Sequence, residues 1–464
     1  MLKSFKSFLK NPIPKLTNNP LTKLISKRIE IPDDLSEITT YNPNLEVAPE
    51  EADMTKEGVD SIWKCVEDLY RTGISPGVVF NLRRNGKLIL NRAIGHSHGN
   101  GPEDSEYAKK ILMTPETPIC QFSASKAVTA MLIHLLVERK KINLLDPVCH
   151  YIPEFAAHGK ENTSIYHVIS HHAGIPTPPP DINPEILFDH DACIDMLCNS
   201  KPLSVPGRRQ AYHAVTGGMI LAEIVKRVTG MNIREFLREN IQKPLNFKYF
   251  NYGVSDEDIP NVAINYATGL PLFFPFNTIA QKALSIPWDG VVNISNDPRY
   301  LKAIIAAGNL VATADEMSQF FQLLLNGGEL NGIRIFNPLT IRRAIMESDN
   351  FKFDGTMVIP MRYSAGFMLG ASPFGLWGAF SQAAYGHIGF INIFCWADPE
   401  RDISVSLQTT GKCLVGGHLL VLSQLLSAIT WYCKKNNVPQ EVQAVYSSYI
   451  QPIRSLLGNS LLSW

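Results

Sequence analysis

The sequence predicts a mixed fold of helices and strands (α/β in the broad sense, α+β in the strict one). An antiparallel sheet flanked by helices is expected to form from both ends of the chain. Hairpin patterns lie near residues 85 and 400, and helical patterns dominate between them. With 464 residues, the chain can bury a large core. The long middle region is therefore interpreted as a mostly helical domain inserted into the sheet domain.

The first elements of the sheet domain follow one another between residues 59 and 94. Apolar residues recur at helical spacing over residues 59–70, and Gly73 supplies a helix stop signal. Residues 77–82 and 87–94 are apolar-rich runs separated by a link that ends in Asn-Gly. Because Asn-Gly favours tight hairpin turns, this segment predicts a helix followed by a β-hairpin.

The second group of sheet elements lies near the carboxyl end. Residues 389–396 and 402–407 flank an Ala-Asp-Pro-Glu-Arg turn, which predicts another hairpin. Residues 419–432 are strongly apolar, but polar residues interrupt the run and it is short for a bilayer crossing. We expect this segment to be a helix packed on the sheet.

These patterns predict four regions along the chain. They are a basic N-terminal extension (1–50), a discontinuous sheet domain (51–110 and 345–433), a mostly helical domain (111–344) and a C-terminal extension (434–464). Clefts form where two such parts meet, so a site is expected between the sheet and the helical domain.

Composition excludes some partners and sites. Lysine plus arginine equal aspartate plus glutamate, at 43 each, so no global field attracts nucleic acid. The eight cysteines contain no C-x-x-C pair, which argues against a disulfide framework or a structural metal. The N-terminal region lacks the continuous apolar stretch of a secretory signal, so cytoplasmic residence is expected. Its apolar residues alternate with lysines, which suits either weak membrane-surface contact or a solvated leader.

A serine and a lysine three residues apart on a helix share one face, where a neutral lysine can accept the seryl proton. The S-x-x-K pattern occurs three times, at Ser7, Ser61 and Ser123. The first lies in the basic leader, and the second is expected on the solvent face of a helix. Only Ser123 and Lys126 open a long apolar helix, so this pair is the candidate nucleophile and base.

Further segments follow this pair along the chain. They read KKINLLDPVCHYIPEF, SIYHVISHHAGIP, PGRRQAYHAVTGGMILAEIVKRVTG, ENIQKPLNF, AAGNLVATADEMSQF and YGHIGFINIFCWADPERDISV. Together with FSASK, they resemble in order the motifs of the serine β-lactamase and penicillin-binding-protein-like superfamily, most closely its class C β-lactamase and family VIII carboxylesterase branch. The resemblance spans roughly residues 55 to 432 and implies a β-lactamase/transpeptidase-like fold.

The resemblance also implies roles for individual residues. Ser123 would attack a carbonyl, Lys126 would take its proton, and Tyr212 would share or complete the relay. His387-Ile388-Gly389 matches the family's third motif, which lies on an edge strand. The backbone N–H of Phe390 would then join that of Ser123 as an oxyanion hole, with His387 and Gly389 beside the substrate.

Two departures from the family pattern bear on the substrate. Ala214 stands where β-lactamases carry an asparagine, and His387 stands where lactamases and peptidases carry a lysine. Both changes favour esters over β-lactams and peptides, although a protonated His387 would still bind an anion. The predicted activity is a serine carboxylesterase that forms an acyl-enzyme, with acyl transfer to an alcohol as a variant of the same chemistry.

Alternatives stay open at this point. The same residues suit a β-lactamase or D-Ala-D-Ala peptidase, or a catalytically silent binding or scaffold protein with the same fold. The aromatic-rich residues 270–288 are either ordinary core or a lid over an acyl pocket. The expected partner is a small ester or acyl substrate, and no cofactor or metal is required.

Overall fold

The computed structural model describes residues 26–179, 182–272, 274, 277–278, 280–281, 286–349 and 351–436. An eight-stranded antiparallel sheet joins the two ends of this chain. Its strands are β1 (Thr39–Tyr41), β2 (Gly77–Arg84), β3 (Lys87–His98), β4 (Ile111–Leu112), β5 (Met368–Leu369), β6 (Tyr385–Gly389), β7 (Ile393–Asp398) and β8 (Ile403–Thr409). The order is β1-β3-β2-β8-β7-β6-β5, with β4 paired to β3.

Helices fill most of the chain between the two halves of this sheet. Within the described residues, the α-helices are α1 (Lys56–Tyr70), α2 (Ser125–Glu138), α3 (Ile165–Ile169), α4 (His190–Asn199), α5 (Thr216–Thr229), α6 (Ile233–Leu237), α7 (Trp288–Ser295), α8 (Pro298–Lys302), α9 (Ala314–Leu325), α10 (Pro338–Ile345) and α11 (His418–Tyr432). Short 3-10 helices include Leu35–Ile38, Pro49–Ala52, Phe122–Ala124, Val148–His150, Pro153–Gly159, Pro184–Phe188 and Ile259–Asn261, and Arg238–Gln242 is a π-helical turn.

Smaller strand pairs lie outside the main sheet. Leu310–Ala312 pairs with both Ile119–Cys120 and Asn251–Tyr252. The other pairs are Glu329–Leu330 with Ile333–Arg334, Lys352–Phe353 with Pro360–Met361, Phe374–Gly375 with Gly378–Ala379, and Tyr266–Ala267 with Gly411–Lys412.

The pairing of β2 with β8 joins the N-terminal strands of the sheet to its C-terminal strands. Val78 pairs with Thr409, and Arg84 pairs with Ile403. This arrangement confirms the predicted fold class, an antiparallel sheet formed from both ends of the chain and flanked by helices. The proposed domain bounds stay a prediction.

The first hairpin turns at Asn85 and Gly86, both with positive φ (51° and 75°), as a tight Asn-Gly turn requires. The second hairpin begins later than the sequence indicates. Gly389 ends β6, and the chain reverses at Ile391, which has φ +68°, before β7 starts. Apolar composition runs through this reversal, so periodicity alone does not reveal it.

The sheet begins inside the segment predicted as an N-terminal extension. Thr39–Tyr41 pairs with β3 as an outer strand, because its β-branched and aromatic residues suit a pleated surface. The leader up to residue 25 and residues 437–464 of the C-terminal extension lie outside the described residues. None of the described helices combines the length and apolarity needed to cross a membrane.

The two faces of the sheet pack against different helices. Val78 and Phe80 of β2 belong to a core cluster that also contains side chains of α1 and α11. Val79, which points to the opposite face, belongs to a larger cluster shared with α2 and α9. The α2 helix is therefore buried beside the sheet, and its first turn lies close to β6.

Candidate active site

Ser123 lies in the 3-10 turn Phe122–Ala124, directly before α2. Its neighbours Phe122 and Ala124 are buried, whereas Ser123 itself is partly exposed. The next turn is held in place because the Ser125 hydroxyl accepts the backbone N–H of Leu310 at 3.0 Å. The fold thus presents the Ser123 hydroxyl from a fixed helix start, as an attacking group requires.

The amino group of Lys126 is buried next to Ser123. Nζ lies 3.0 Å from the Ser123 Oγ, 2.7 Å from the Ala214 carbonyl oxygen and 2.9 Å from the Ala307 carbonyl oxygen. No carboxylate in the described residues pairs with it. Burial therefore lowers the pKa of Lys126 to about 7.

The contacts of Lys126 suit an uncharged amine as well as an ammonium ion. A neutral amine has two N–H donors and one lone pair. The two carbonyl oxygens can accept both N–H groups, which leaves the lone pair for the Ser123 hydroxyl proton. The arrangement can therefore remove a proton from Ser123 without any other base.

The other S-x-x-K pairs have no such surroundings. Ser61 donates to the Glu57 carbonyl on the outer side of α1, and Lys64 is exposed and paired with Asp68 at 2.9 Å. Ser7 and Lys10 lie outside the described residues. Of the described pairs, only Ser123 and Lys126 combine contact with burial.

Tyr212 completes a three-residue cluster. Its phenol interacts with the Ser123 side chain, and the Lys126 Nζ lies 5.0 Å from the centroid of its ring. Burial raises the pKa of Tyr212 well above its usual value, and the nearby Asp354 adds to this effect. The neutral phenol is thus the stable form in the free protein, so Tyr212 is suited to pass a proton on rather than to act as a phenolate.

Asp354 fixes the backbone of Tyr212 and was not singled out from the sequence. One oxygen of this buried carboxylate accepts the backbone N–H groups of Tyr212 at 3.1 Å and of Thr356 and Met357 at 2.8 Å each. The signal in the sequence is only an Asp-Gly-Thr turn. Its contact with Tyr212 spans 142 residues, which no local pattern reveals.

His387 lies close to Tyr212, with ring centroids 6.1 Å apart. Burial, together with the nearby Lys126, lowers the pKa of His387 to about 3. Burial likewise lowers the pKa values of the neighbouring His171 and His213. The imidazole of His387 is therefore neutral near pH 7, which argues against the charged, anion-binding form considered from the sequence.

The β6 strand approaches the nucleophile turn closely at Gly389. A Cβ atom at this position would lie 2.1 Å from the Gln121 carbonyl oxygen, so a side chain has no room. The rings of Phe122 and Phe390 stack with centroids 5.0 Å apart. Ser123 follows one of these residues and Gly389 precedes the other, so the two backbone segments expected to form an oxyanion hole are neighbours.

An aromatic stack continues outward from Phe390. The half-buried Trp288 stacks on it at 4.2 Å, and its indole N–H donates to the Lys412 carbonyl. In the segment predicted as a lid or core, Phe274 is exposed, whereas Phe273 and Phe276 lie outside the described residues. The lid therefore stays a prediction.

Lys412, in the short strand Gly411–Lys412, is a second buried lysine near the nucleophile. Its Nζ lies 4.9 Å from the centroid of the Phe122 ring and donates to the Thr409 carbonyl at 2.6 Å. Burial lowers the pKa of Lys412 to about 7. No contact joins it to Ser123, so Lys126 is the better candidate base.

One cluster of described residues has the composition of a metal site. His190, Asp191 and Glu223 place possible ligand atoms within 4.8 Å of one another. Arg227 and Lys226 already pair with these carboxylates, however, at 2.5 Å to Glu223 and 2.9 Å to Asp191. This ion-pair network is balanced by its own cations and lies on α4 and α5, away from Ser123.

Comparisons with known proteins agree with the fold and the motif order. The family model described as Beta-lactamase matches residues 63–414. A curated relative, the esterase/beta-lactamase LipL of Mycobacterium tuberculosis, is 28% identical over 302 residues, which cover 62% of this chain and 67% of LipL.

Solved structures share the same architecture. A penicillin-binding protein homolog from Caulobacter crescentus superposes with a TM-score of 0.70 at 27% identity, covering 82% of this chain and 98% of the homolog. A family VIII carboxylesterase gives a TM-score of 0.69 at 22% identity, covering 82% and 99% of the two chains, which shows the fold alone. On the family match and these similarities, this chain belongs to the β-lactamase family, a superfamily of hydrolases with this fold.

Proposed function

We propose that the protein is a serine carboxylesterase that works through a seryl acyl-enzyme, with Ser123 as the nucleophile. The contact between the Lys126 Nζ and the Ser123 Oγ, at 3.0 Å, carries the proposal, because burial lowers the pKa of this amine to about 7, so that a large fraction of it is uncharged at neutral pH. A nucleophilic hydroxyl needs such a base within hydrogen-bond reach.

In the acylation step, Lys126 takes the hydroxyl proton of Ser123 while Oγ bonds to the carbonyl carbon of the ester. The carbonyl oxygen becomes an oxyanion held by the backbone N–H groups of Ser123 and Phe390. Collapse of this intermediate breaks the bond to the alcohol oxygen. The alcohol leaves with a proton from the Tyr212 phenol, which regains one from the Lys126 ammonium group.

Deacylation reverses these roles. Water gives a proton to Lys126 by way of Tyr212 and attacks the acyl carbonyl, and the bond to the Ser123 Oγ then breaks. The proton returns to Oγ and the carboxylic acid leaves. An alcohol in place of water would yield a new ester, so acyl transfer uses the same groups.

The substrate preference for esters rests on two positions. Ala214 offers a methyl side chain where an amide would hold a substrate amide group, and its carbonyl is already used by Lys126. His387 is neutral and cannot hold a substrate carboxylate by charge. An ester needs neither contact, whereas β-lactams and D-Ala-D-Ala peptides carry both an amide and a carboxylate.

A panel of substrates tests this preference. We expect kcat/KM for 4-nitrophenyl acetate or butyrate to exceed that for a chromogenic cephalosporin by about a hundredfold or more, since each of the two missing contacts is worth roughly a factor of ten. A D-Ala-D-Ala peptide should be cleaved no faster than the cephalosporin. The Ser123→Ala protein gives the background rate for each compound.

The rival activities have distinct outcomes in the same panel. Cephalosporin turnover that exceeds ester turnover would replace the esterase proposal by a β-lactamase. Faster release of D-alanine than of nitrophenol would indicate a peptidase. Background rates on every substrate, from folded protein, would favour a silent scaffold.

Tyr212→Phe tests the proton relay separately from the nucleophile. The change removes one oxygen from a buried ring, so kcat for a nitrophenyl ester should fall by about 10² to 10³ while the fold is kept. Tyr300→Phe is a matched control, because its buried hydroxyl hydrogen-bonds the Gly308 carbonyl instead of Ser123. A Tyr212→Phe enzyme as active as the wild type would remove Tyr212 from the mechanism.

A further inference from the structure

A cavity of about 90 Å³ lies at the N-terminal end of α11, apart from the Ser123 cluster. Arg28, Thr72, Gly416, Gly417 and His418 contribute to its wall. Its lining contains none of Ser123, Lys126, Tyr212 and His387. The proposed esterase chemistry gives it no role.

The N-terminal end of α11 lines this cavity, where the N–H groups of Leu419 and Leu420 already donate to the carbonyls of Gly416 and Gly417. The α11 helix has 15 residues, and no side chain caps its first N–H groups because Gly417 occupies the N-cap position. The aligned peptide dipoles make this end of the helix electropositive. A cavity at such a position favours a negatively charged occupant.

His418 adds a buried polar side chain to the wall of this cavity. Its side chain is only 2% exposed, and neither ring nitrogen has a hydrogen-bond partner of acceptable geometry. Burial lowers the pKa of His418 to about 4, although the Cys413 carbonyl opposes this shift and Arg28 adds to it. A buried imidazole without partners is costly unless a ligand or water takes its N–H.

Arg28 brings a positive charge that is not balanced nearby. Its half-buried guanidinium donates to the Ser26 hydroxyl at 3.2 Å and to the Thr72 carbonyl at 3.4 Å, both uncharged acceptors. No carboxylate of the described residues lies within ion-pair distance of it. A guanidinium has five N–H donors arranged to hold two oxygens of an oxyanion, so donors remain for a ligand.

We propose that this cavity is a binding site for a small oxyanion, either phosphate or a short carboxylate. Arg28 would supply the charge, the electropositive end of α11 would add to it, and the ring of His418 would supply a further donor. The cavity has room for about three waters, which is also the scale of one such anion. The absence of a side chain at Gly416 keeps the space open, since a Cβ there would lie 3.1 Å from the His418 Nδ1.

Calorimetric titration of the full chain with sodium phosphate and, separately, sodium acetate tests this site at constant ionic strength. We expect saturable binding of at least one anion, and the arm that saturates identifies the phosphate or the carboxylate class. Arg28→Met should weaken this binding by about tenfold or more, through loss of a charged hydrogen bond. Gly416→Ala, which fills the cavity without changing charge, should weaken it similarly.

Arg342→Met is the matched control, because it removes the same charge from an exposed position on α10. The affinity of Arg342→Met for the anion should equal that of the wild type. Circular dichroism should show that all three variants are folded. The proposal is overturned if neither anion saturates the wild type, or if folded Arg28→Met and Gly416→Ala proteins bind as tightly as it does. The binding measurement needs no ester. A failure of the anion-site proposal can therefore be distinguished from a failure of the esterase proposal.

Discussion

Ser123→Ala is expected to lower kcat for a nitrophenyl ester by a factor on the order of 10⁴ to 10⁶, the largest loss of any single change considered. The substitution removes the atom that forms the acyl-enzyme, and no neighbouring hydroxyl can replace it. Ser125, two residues on, is buried, and its oxygen already accepts the Leu310 N–H. Steady-state kinetics on purified protein measure the effect.

Ser61→Ala provides the control for this experiment. It alters the other described S-x-x-K serine, on α1, whose hydroxyl bonds the Glu57 carbonyl of its own helix. Activity should stay within about twofold of the wild type. If Ser123→Ala keeps more than a few per cent of the wild-type rate while Ser61→Ala does not, the nucleophile has been assigned to the wrong serine.

Lys126→Met should lower kcat/KM by about 10³ or more, because the seryl proton then has no acceptor of suitable basicity. The wild type should also show a characteristic pH dependence. The amine is the base only when uncharged, and its pKa is lowered to about 7 by burial. The rate should therefore be low below pH 6, rise through about pH 7, and level off above it.

Lys126→Arg separates the proton-accepting role from simple charge. A guanidinium stays protonated at every usable pH, so this variant should be as impaired as Lys126→Met. Lys64→Met, at the exposed lysine of α1, should leave both the rate and its pH dependence unchanged. A rate of the wild type that is flat from pH 5 to 9, or an active Lys126→Arg enzyme, would show that Lys126 is not the base.

Local patterns in the sequence predicted the sheet and the pairing of Ser123 with Lys126. The Asn85-Gly86 turn and the helix before it are specified by neighbouring residues, and so is the placing of Ser123 and Lys126 on adjacent turns. Tyr212 was reached only through the resemblance to a family. Its approach to Ser123 depends on packing between segments far apart in the chain.

Other features of the site depend on contacts that no window of sequence contains. The Ala307 carbonyl accepts a hydrogen bond from Lys126, which is 181 residues away in the sequence. Asp354 accepts the backbone N–H of Tyr212, which is 142 residues away. The neutral state of His387 follows from burial beside Lys126, so residue type alone suggested a possible cation. Charge state and backbone contacts are properties of the folded neighbourhood.

The cavity at α11 shows the same limit. Arg28 belongs to the segment predicted as a basic N-terminal extension, and His418 begins an apolar helix predicted only to pack on the sheet. They meet because Lys27 and Gly269 pair by backbone hydrogen bonds, which draws the N-terminal segment across the end of α11. The sequence around Arg28 and the sequence around His418 each lack a pattern that would indicate a binding site.

Peptide mapping by mass spectrometry after treatment with a fluorophosphonate tests the nucleophile directly. The reagent forms a stable bond to an activated seryl oxygen, so a brief exposure of the native protein captures the attacking atom. We predict one adduct per chain, located at Ser123, with ester hydrolysis lost in proportion to labelling. An adduct at another residue that accompanies the loss of activity, or full activity in protein labelled at Ser123, would contradict the mechanism.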